Sequence, residues 1–196
     1  MTKFETAYYI TNRIEGGYAN DPDDKGGETY RGIARNFHPD WNGWATVDDA
    51  KKKISNIKSI NNLLDNDSTL QKWVMAFYCV EFWDKINGDL IPDQLIANEV
   101  YDNAVNMGIN SSGEYLQRTI NILNRNQNAY ADIEVDGNLG PKTIEALKVC
   151  IKKNGAKRVL NVINGFQIKH YLELMEKNPT NEKYIGWFDR VDIVWN

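Results

Sequence analysis

The chain has 196 residues, 42% of them apolar and 26% charged, with a net charge of −4 at pH 7. That length fits one domain or two small ones sharing a core, and at this size about 70% of the unfolded surface can be buried without a disulfide or metal as staple. The composition is that of a globular chain, not a disordered one, and the acidic balance argues against a nucleic-acid partner, which needs a Lys/Arg surplus. A neutral glycan stays compatible.

In chain order, Phe4, Ala7, Tyr8, Ile10, Thr11 and Ile14 recur at helical spacing and predict a helix over residues 3–15. Gly16-Gly17 ends it and leaves Glu15 at its C-terminus. Residues 18–34 hold Pro22, Asp-rich steps and Gly26-Gly27, and read as turns with a short β-hairpin around Tyr18 and Thr29-Tyr30. His38 to Trp44 is a compact aromatic loop, and Val47 to Ile54 a short helix entered through Thr46. Ser68 is the expected N-cap of the strongest helix, residues 69–84, with Leu70, Trp73, Val74, Phe77 and Val80 on its apolar face. Helices are further expected from Pro92 to Gly108, from Ser111 or Ser112 to Asn124, from Pro141 onward, over residues 155–176, and from Asn181 to Trp195. The fold is therefore expected to be mainly α, with at most a small β-hairpin near residues 18–34.

Cys79 and Cys150 belong to no CxxC pair, and His38 and His170 form no metal motif, so no cofactor or metal is implied. Pairing of the two cysteines is left open. The first fourteen residues carry Lys3, Glu5 and Arg13 and show no signal-peptide pattern, and no apolar run is long enough to span a membrane.

The chemistry concentrates between residues 14 and 33. Glu15, Asp21, Asp23, Asp24 and Glu28 fall in this stretch beside Gly-Gly turns. A glycoside hydrolase needs a protonated acid on one side of a sugar linkage and an ionised group or activated water on the other. Glu15 is the candidate general acid; burial and the negative end of a helix both favour its neutral form. Asp24 and Thr29 are candidates for holding the water, and Glu28 is a further carboxylate. The alternative reading of the aspartates is turn formation. An EF-hand fails, because loop position five is Lys25 and position twelve is Gly32. Tyr18, Tyr30, Trp41 and Trp44 sit in polar, turn-rich sequence and suit a glycan groove, where flat rings stack on sugars, or else cover a small core. Asp102 and Asn103 are candidates for contacting substrate or for tying neighbouring turns.

Together these motifs resemble a known family. Glu15-Gly16-Gly17-Tyr18, Gly26-Gly27-Glu28-Thr29, Gly32-Ile33 and His38-Pro39-Asp40-Trp41 with Trp44 resemble the N-terminal motif of glycoside hydrolase family 108, lysozyme-like N-acetylmuramidases of phage endolysins and bacterial proteins. Some relatives are labelled "secretion activator protein". Asp102, Val105-Asn106, Gly108 and Leu116-Gln117, then Val135-Asp136-Gly137 to Gly140-Pro141-Lys142-Thr143, then Gly186-Trp187 with Arg190, resemble the predicted peptidoglycan-binding region that follows. The resemblance implies a lysozyme-like region over residues 1–97 and a helical peptidoglycan-binding region over 98–196. It implies hydrolysis of the MurNAc-β-1,4-GlcNAc linkage with Glu15 as the acid, and peptidoglycan strands as partner. Synthesis in a bacterial cytoplasm and action at the cell wall follow as expectations. A lytic transglycosylase, or a wall-binding or secretion-accessory protein without turnover, are the other readings. More distantly similar phage lysozymes space their residues Glu-x8-Asp-x5-Thr; here Glu15 to Asp24 keeps the first gap and Asp24 to Thr29 is one residue short.

Overall fold

The structure, a computed structural model, describes residues 2–12, 16–21 and 26–191. The chain forms two compact units: Asn12–Val80, and Met1–Thr11 together with Glu81–Asn196. It is mainly helical with one small sheet, the lysozyme-like architecture expected.

In the first unit, strands β1 (Tyr18–Asn20), β2 (Glu28–Tyr30) and β3 (Ile33–Ala34) form an antiparallel sheet in that order. Tyr18 faces Tyr30, and Tyr30 faces Ile33 in turn. Arg31 and Gly32, at φ 46 and 77, make the two-residue turn between β2 and β3, and positive φ at both central positions matches the twist of such hairpins. Three helices cover the sheet's unit: α2 (Trp44–Lys53), α3 (Ile57–Asp65) and α4 (Ser68–Tyr78). Helix α3, absent from the sequence expectations, starts where Asn56 accepts the Ser59 N–H and buries Ile60 and Leu64 one turn apart. The cap of α4 is Asp67, one residue before the expected Ser68; its extended backbone and carboxylate meet the Thr69 and Leu70 N–H groups, where the helix dipole favours a negative charge. Leu70, Val74 and Tyr78 are its buried line. Trp73, expected on that face, lies off the line and is 42% exposed. The helix expected to reach residue 84 leaves α geometry after Tyr78 and widens into a π-helical turn, Cys79–Trp83.

In the second unit, α1 (Phe4–Thr11) lays Phe4 against the rings of Trp83 and Tyr101, each 5.8 Å away. Of the helix expected over residues 3–15, the structure describes α1 as Phe4–Thr11; residues 13–15, including Glu15, lie outside the described residues. The central element is α5 (Gln94–Met107), capped by Asp93 and packed on α1, on α6 (Ile109–Ile122) and on α8 (Ala156–Lys177). It is buried almost all round, Asn98, Asp102 and Asn103 included. Gly108 at φ 89 separates α5 from α6. Ser112, expected at that helix start, lies inside α6 and its hydroxyl donates to the Val100 carbonyl at 2.6 Å. Helix α7 (Pro141–Asn154) begins at proline as expected and passes to α8 through Gly155 at φ 82. The helix expected over Asn181–Trp195 is a 3-10 run, Pro179–Arg190, kinked at Tyr184 and anchored by Trp187 on the Tyr171 ring 5.3 Å away; residues 192–196 lie outside the described residues. Cys79 and Cys150 are free thiols. Among the described residues no helix is long and apolar enough to cross a membrane.

Candidate active site

Side chains alternate across a strand, so the register of the small sheet divides the candidate residues between its faces. Tyr18, Glu28, Tyr30 and Ile33 share one face; Ala19, Thr29 and Ala34 share the other. The first face is packed: Tyr18, Tyr30 and Ile33 are buried. On the second, Ala19 is exposed and Thr29 and Ala34 are half-buried. Thr29 is thus the candidate presented on the open face.

Glu28 sits at the centre of an ion network on the packed face. The Tyr18 hydroxyl donates to its carboxylate at 2.9 Å, Arg35 Nε pairs with it at 2.9 Å, and the Lys51 ammonium of α2 closes on the same group. Arg35 also forks onto Asp48, with contacts of 2.6 and 3.2 Å, the bidentate geometry that suits a guanidinium. Burial raises the Glu28 carboxyl, but the Lys51 and Tyr18 hydrogen bonds and the charges of Lys51 and Arg35 outweigh it and hold it below its ordinary value. Glu28 is therefore an ionised carboxylate, unsuited to donate a proton near neutrality. Burial, and next the Glu28 contact, push the Tyr18 phenol up.

The aromatic loop is built on the same network. Arg35 lies over the Trp44 ring at 4.4 Å, and the Trp44 indole N–H donates to the His38 carbonyl at 2.7 Å. Trp41 meets Trp44 edge-on at 5.2 Å and lies 6.3 Å from Tyr30. A Cβ at Gly43 would collide with the Trp41 ring, which accounts for glycine there. Trp44 is buried and Trp41 half-buried. The Tyr30 hydroxyl receives the Gln71 amide at 2.9 Å, and the Tyr78 hydroxyl ties the Arg31 carbonyl at 2.8 Å.

Asp102 and Asn103 belong to the other unit. Asp102 is paired with Arg190, while Asn103 donates to Glu99 at 3.1 Å and its buried amide oxygen meets no donor among the described residues. Glu15 and Asp24 lie outside the described residues. The sequence reading missed Asn61, Arg35 and Lys51, which organise the sheet. Lone polar residues give no sequence signal for contacts at such separations, Lys51 lying 23 residues from Glu28 and Asn61 43 from Tyr18. In the second unit a recess of about 620 Å³ opens beside Glu134, Asn138, Lys142 and Thr143.

A family model described as glycosyl hydrolase 108 matches residues 9–108, and one described as a predicted peptidoglycan domain matches residues 112–192. Among solved structures, that of Brucella abortus SagA is similar over 96% of this chain and 88% of its own, with 22% identity and a TM-score of 0.58. Likeness at that identity is likeness of fold. No curated protein matches the chain.

Proposed function

Because the chain belongs to the glycosyl hydrolase 108 family, we propose that it cleaves the MurNAc-β-1,4-GlcNAc linkage of peptidoglycan as an N-acetylmuramidase, with Glu15 as general acid. The observation that carries this reading is the Glu15-Gly16-Gly17-Tyr18 motif, which falls inside the matched segment. A glycosidic oxygen leaves only as it gains a proton, and a carboxyl group kept neutral by its surroundings supplies one. Asp24 and Thr29 hold the attacking water on the opposite side of the sugar. The open-face position of Thr29 supports its part. Glu28, held in its ionised form by the Lys51 and Tyr18 hydrogen bonds and the charge of Arg35, supports the sheet and is no rival for the acid role. Among the four candidate aromatics, half-buried Trp41 offers the most ring to a glycan. The predicted peptidoglycan domain over residues 112–192 supports the cell wall as the place of action.

The test is turbidity loss and reducing-end release from purified cell walls. Wild type is expected to release hydrated muramic ends, and Glu15→Gln to lose at least about 100-fold in rate while keeping its fold. Wild-type lysis by Glu15→Gln removes Glu15 from the acid role. The same matched segment, 112–192, favours one second reading: a wall-binding protein without turnover. It requires co-sedimentation with insoluble peptidoglycan and no new reducing ends. Anhydro-muramyl ends, read by mass spectrometry, identify a lytic transglycosylase instead.

A further inference from the structure

We propose that the recess at the start of α7 binds the free amino-acid end of a peptidoglycan stem peptide, a carbon bearing both an ammonium and a carboxylate, with Glu134 receiving the ammonium and Lys142 the carboxylate. The proposal rests on the reading of peptidoglycan as the partner, and not on the part given to Glu15.

The recess lies wholly within the second unit, and its volume of about 620 Å³ is that of a small-molecule site. Asp132, Glu134 and Asp136, every second residue of the loop before α7, bring carboxylates to its lining, and Lys142 brings the one ammonium. Two of the carboxylates are engaged: Asp132 accepts the Asn124 amide at 2.5 Å and Asp136 the Gln117 amide at 2.7 Å. Glu134 and Lys142 are not. Both are exposed, and among the described residues neither has an ion-pair partner, nor do they pair with each other. Opposite charges that line one recess without meeting leave a place between them for a group that carries both signs. Such a group answers each charge at once, where a plain anion or cation would leave one of them opposed.

The carboxylate end has further support. No side chain caps α7; Gly140 stands at its N-cap and Pro141 at its first position. The Lys142 and Thr143 N–H groups of that first turn have no acceptor within the helix, and the positive end of the dipole favours an anion there. The wall beside them is fixed in advance. Gln117 accepts the Asp136 and Gly137 N–H groups, and the Thr143 hydroxyl donates to the Asn138 carbonyl at 3.2 Å. A pre-formed wall lowers what binding costs. The lining also selects between the two components of the cell wall. It holds no aromatic ring, the feature on which a sugar face stacks, and its unpaired groups are charges of both signs, which suit an ionised peptide end better than a neutral glycan. The match to a predicted peptidoglycan domain, residues 112–192, includes every residue of the recess.

The experiment titrates the full chain by calorimetry with the tripeptide L-alanyl-γ-D-glutamyl-meso-diaminopimelate, whose last residue carries the free ammonium and carboxylate on one carbon. The comparison ligands are the same peptide with its distal amine acetylated, the peptide with lysine in last place, which keeps the distal ammonium and lacks the distal carboxylate, and free D-alanine. Wild type is expected to bind the tripeptide, to lose about fivefold in affinity with either altered peptide, and to bind D-alanine more weakly than all three. Glu134→Gln should bind the tripeptide about fivefold less well and no longer distinguish it from the acetylated form; Lys142→Gln should weaken it equally and no longer distinguish it from the lysine form. Both substitutions are at exposed positions, so melting temperatures should stay at the wild-type value. No binding of the tripeptide, equal affinity for all three peptides, discrimination unchanged in either variant, or D-alanine binding as tightly as the tripeptide overturns the proposal. Wild type that lyses purified cell walls but leaves the tripeptide unbound refutes this site alone. Wild type that neither lyses walls nor co-sediments with insoluble peptidoglycan refutes the wall as partner and takes the proposal with it.

Discussion

Arg190 follows Asp102 by 88 residues, and its guanidinium Nη1 stands 3.1 Å from the Asp102 carboxylate, both side chains being nearly enclosed. Gln167 of α8 donates to the other carboxylate oxygen at 3.1 Å and to the Tyr171 hydroxyl at 3.2 Å. Trp187 lies on that same tyrosine ring. The Gly186-Trp187-x-x-Arg190 signature is thus a brace that fastens the 3-10 run to α5 and α8. Burial raises the Asp102 carboxyl, and Arg190 offsets only part of it, so the net direction is upward.

Removing Arg190 strands that carboxylate. Arg190→Gln is expected to destabilise the protein by about 2 kcal/mol at neutral pH, and Asp102→Asn in the same chain to recover much of the loss, with a coupling of about 1–2 kcal/mol. The pH dependence has a definite sign. The folded-state pKa of Asp102 lies above its ordinary 3.8, so the folded state holds the proton more readily than the unfolded one. Stability is favoured below the unfolded value and declines as pH rises through the folded value. With Arg190 gone the folded pKa rises further, and the deficit of Arg190→Gln should shrink on acidification. Thermal melts from pH 4 to 8 read this directly; equal melting temperatures for variant and wild type across the range refute the brace.

Glu28 behaves in the opposite sense. Its folded-state pKa lies below the ordinary 4.5, so its contribution is present above that value and is lost as pH falls through the folded one. Glu28→Gln removes the centre of the network and leaves Arg35 and Lys51 with weaker partners. Those cations are about a third exposed, 29% and 33%, so solvent screens the pairs and the loss at pH 7 should be about 1 kcal/mol. The variant should also lose less stability than wild type between pH 5 and 3. An acid limb as steep in Glu28→Gln as in wild type places the titrating group elsewhere.

The helices were readable from sequence where a long apolar repeat coincided with a stop signal. Pro141 starts α7, and Gly108 ends α5, because proline and glycine act through backbone sterics that need no tertiary partner. Helix α3 was not readable: a nine-residue helix with two buried residues, Ile60 and Leu64, carries too thin a period. The last segment reads as a regular helix in sequence and becomes a 3-10 run because none of its residues is buried enough to select α geometry. In the candidate site, the hairpin could be placed from Tyr18 and Thr29-Tyr30, while the division of Glu28 and Thr29 between faces follows only from the observed register. The burial of Tyr18, Tyr30 and Trp44 could not. An aromatic that seals a three-stranded sheet and one that meets a sugar sit in the same kind of polar, turn-rich sequence, and only packing distinguishes them. Asn61 was invisible for the same reason: its two bonds are to main-chain atoms, which carry no sequence signature.

Gln117 shows how two separated motifs become one structural unit. It is buried, and its amide oxygen accepts the Asp136 and Gly137 N–H groups at 3.0 and 2.8 Å, while its nitrogen donates to the Asp136 carboxylate at 2.7 Å and to the Asn138 carbonyl at 3.0 Å. All its hydrogen-bonding capacity is used. The Leu116-Gln117 and Asp136-Gly137 motifs therefore belong to a single contact, and Gly137, at φ 76, is the residue that lets the loop turn against it. Gln117→Ala leaves the enclosed Gly137 N–H without an acceptor, at a cost of about 2–3 kcal/mol, which for a chain of this size is roughly 4–12 °C in melting temperature. Gln117→Glu keeps the acceptor but sets a second carboxylate against Asp136, whose own carboxyl is held low first of all by the Gln117 amide. Like charges at that distance favour taking up a proton, so Gln117→Glu should be markedly less stable at pH 7 and approach wild type near pH 4. Melting curves at the two pH values decide it: a pH-independent deficit in Gln117→Glu means that the carboxylates do not meet and that the loop has left Gln117.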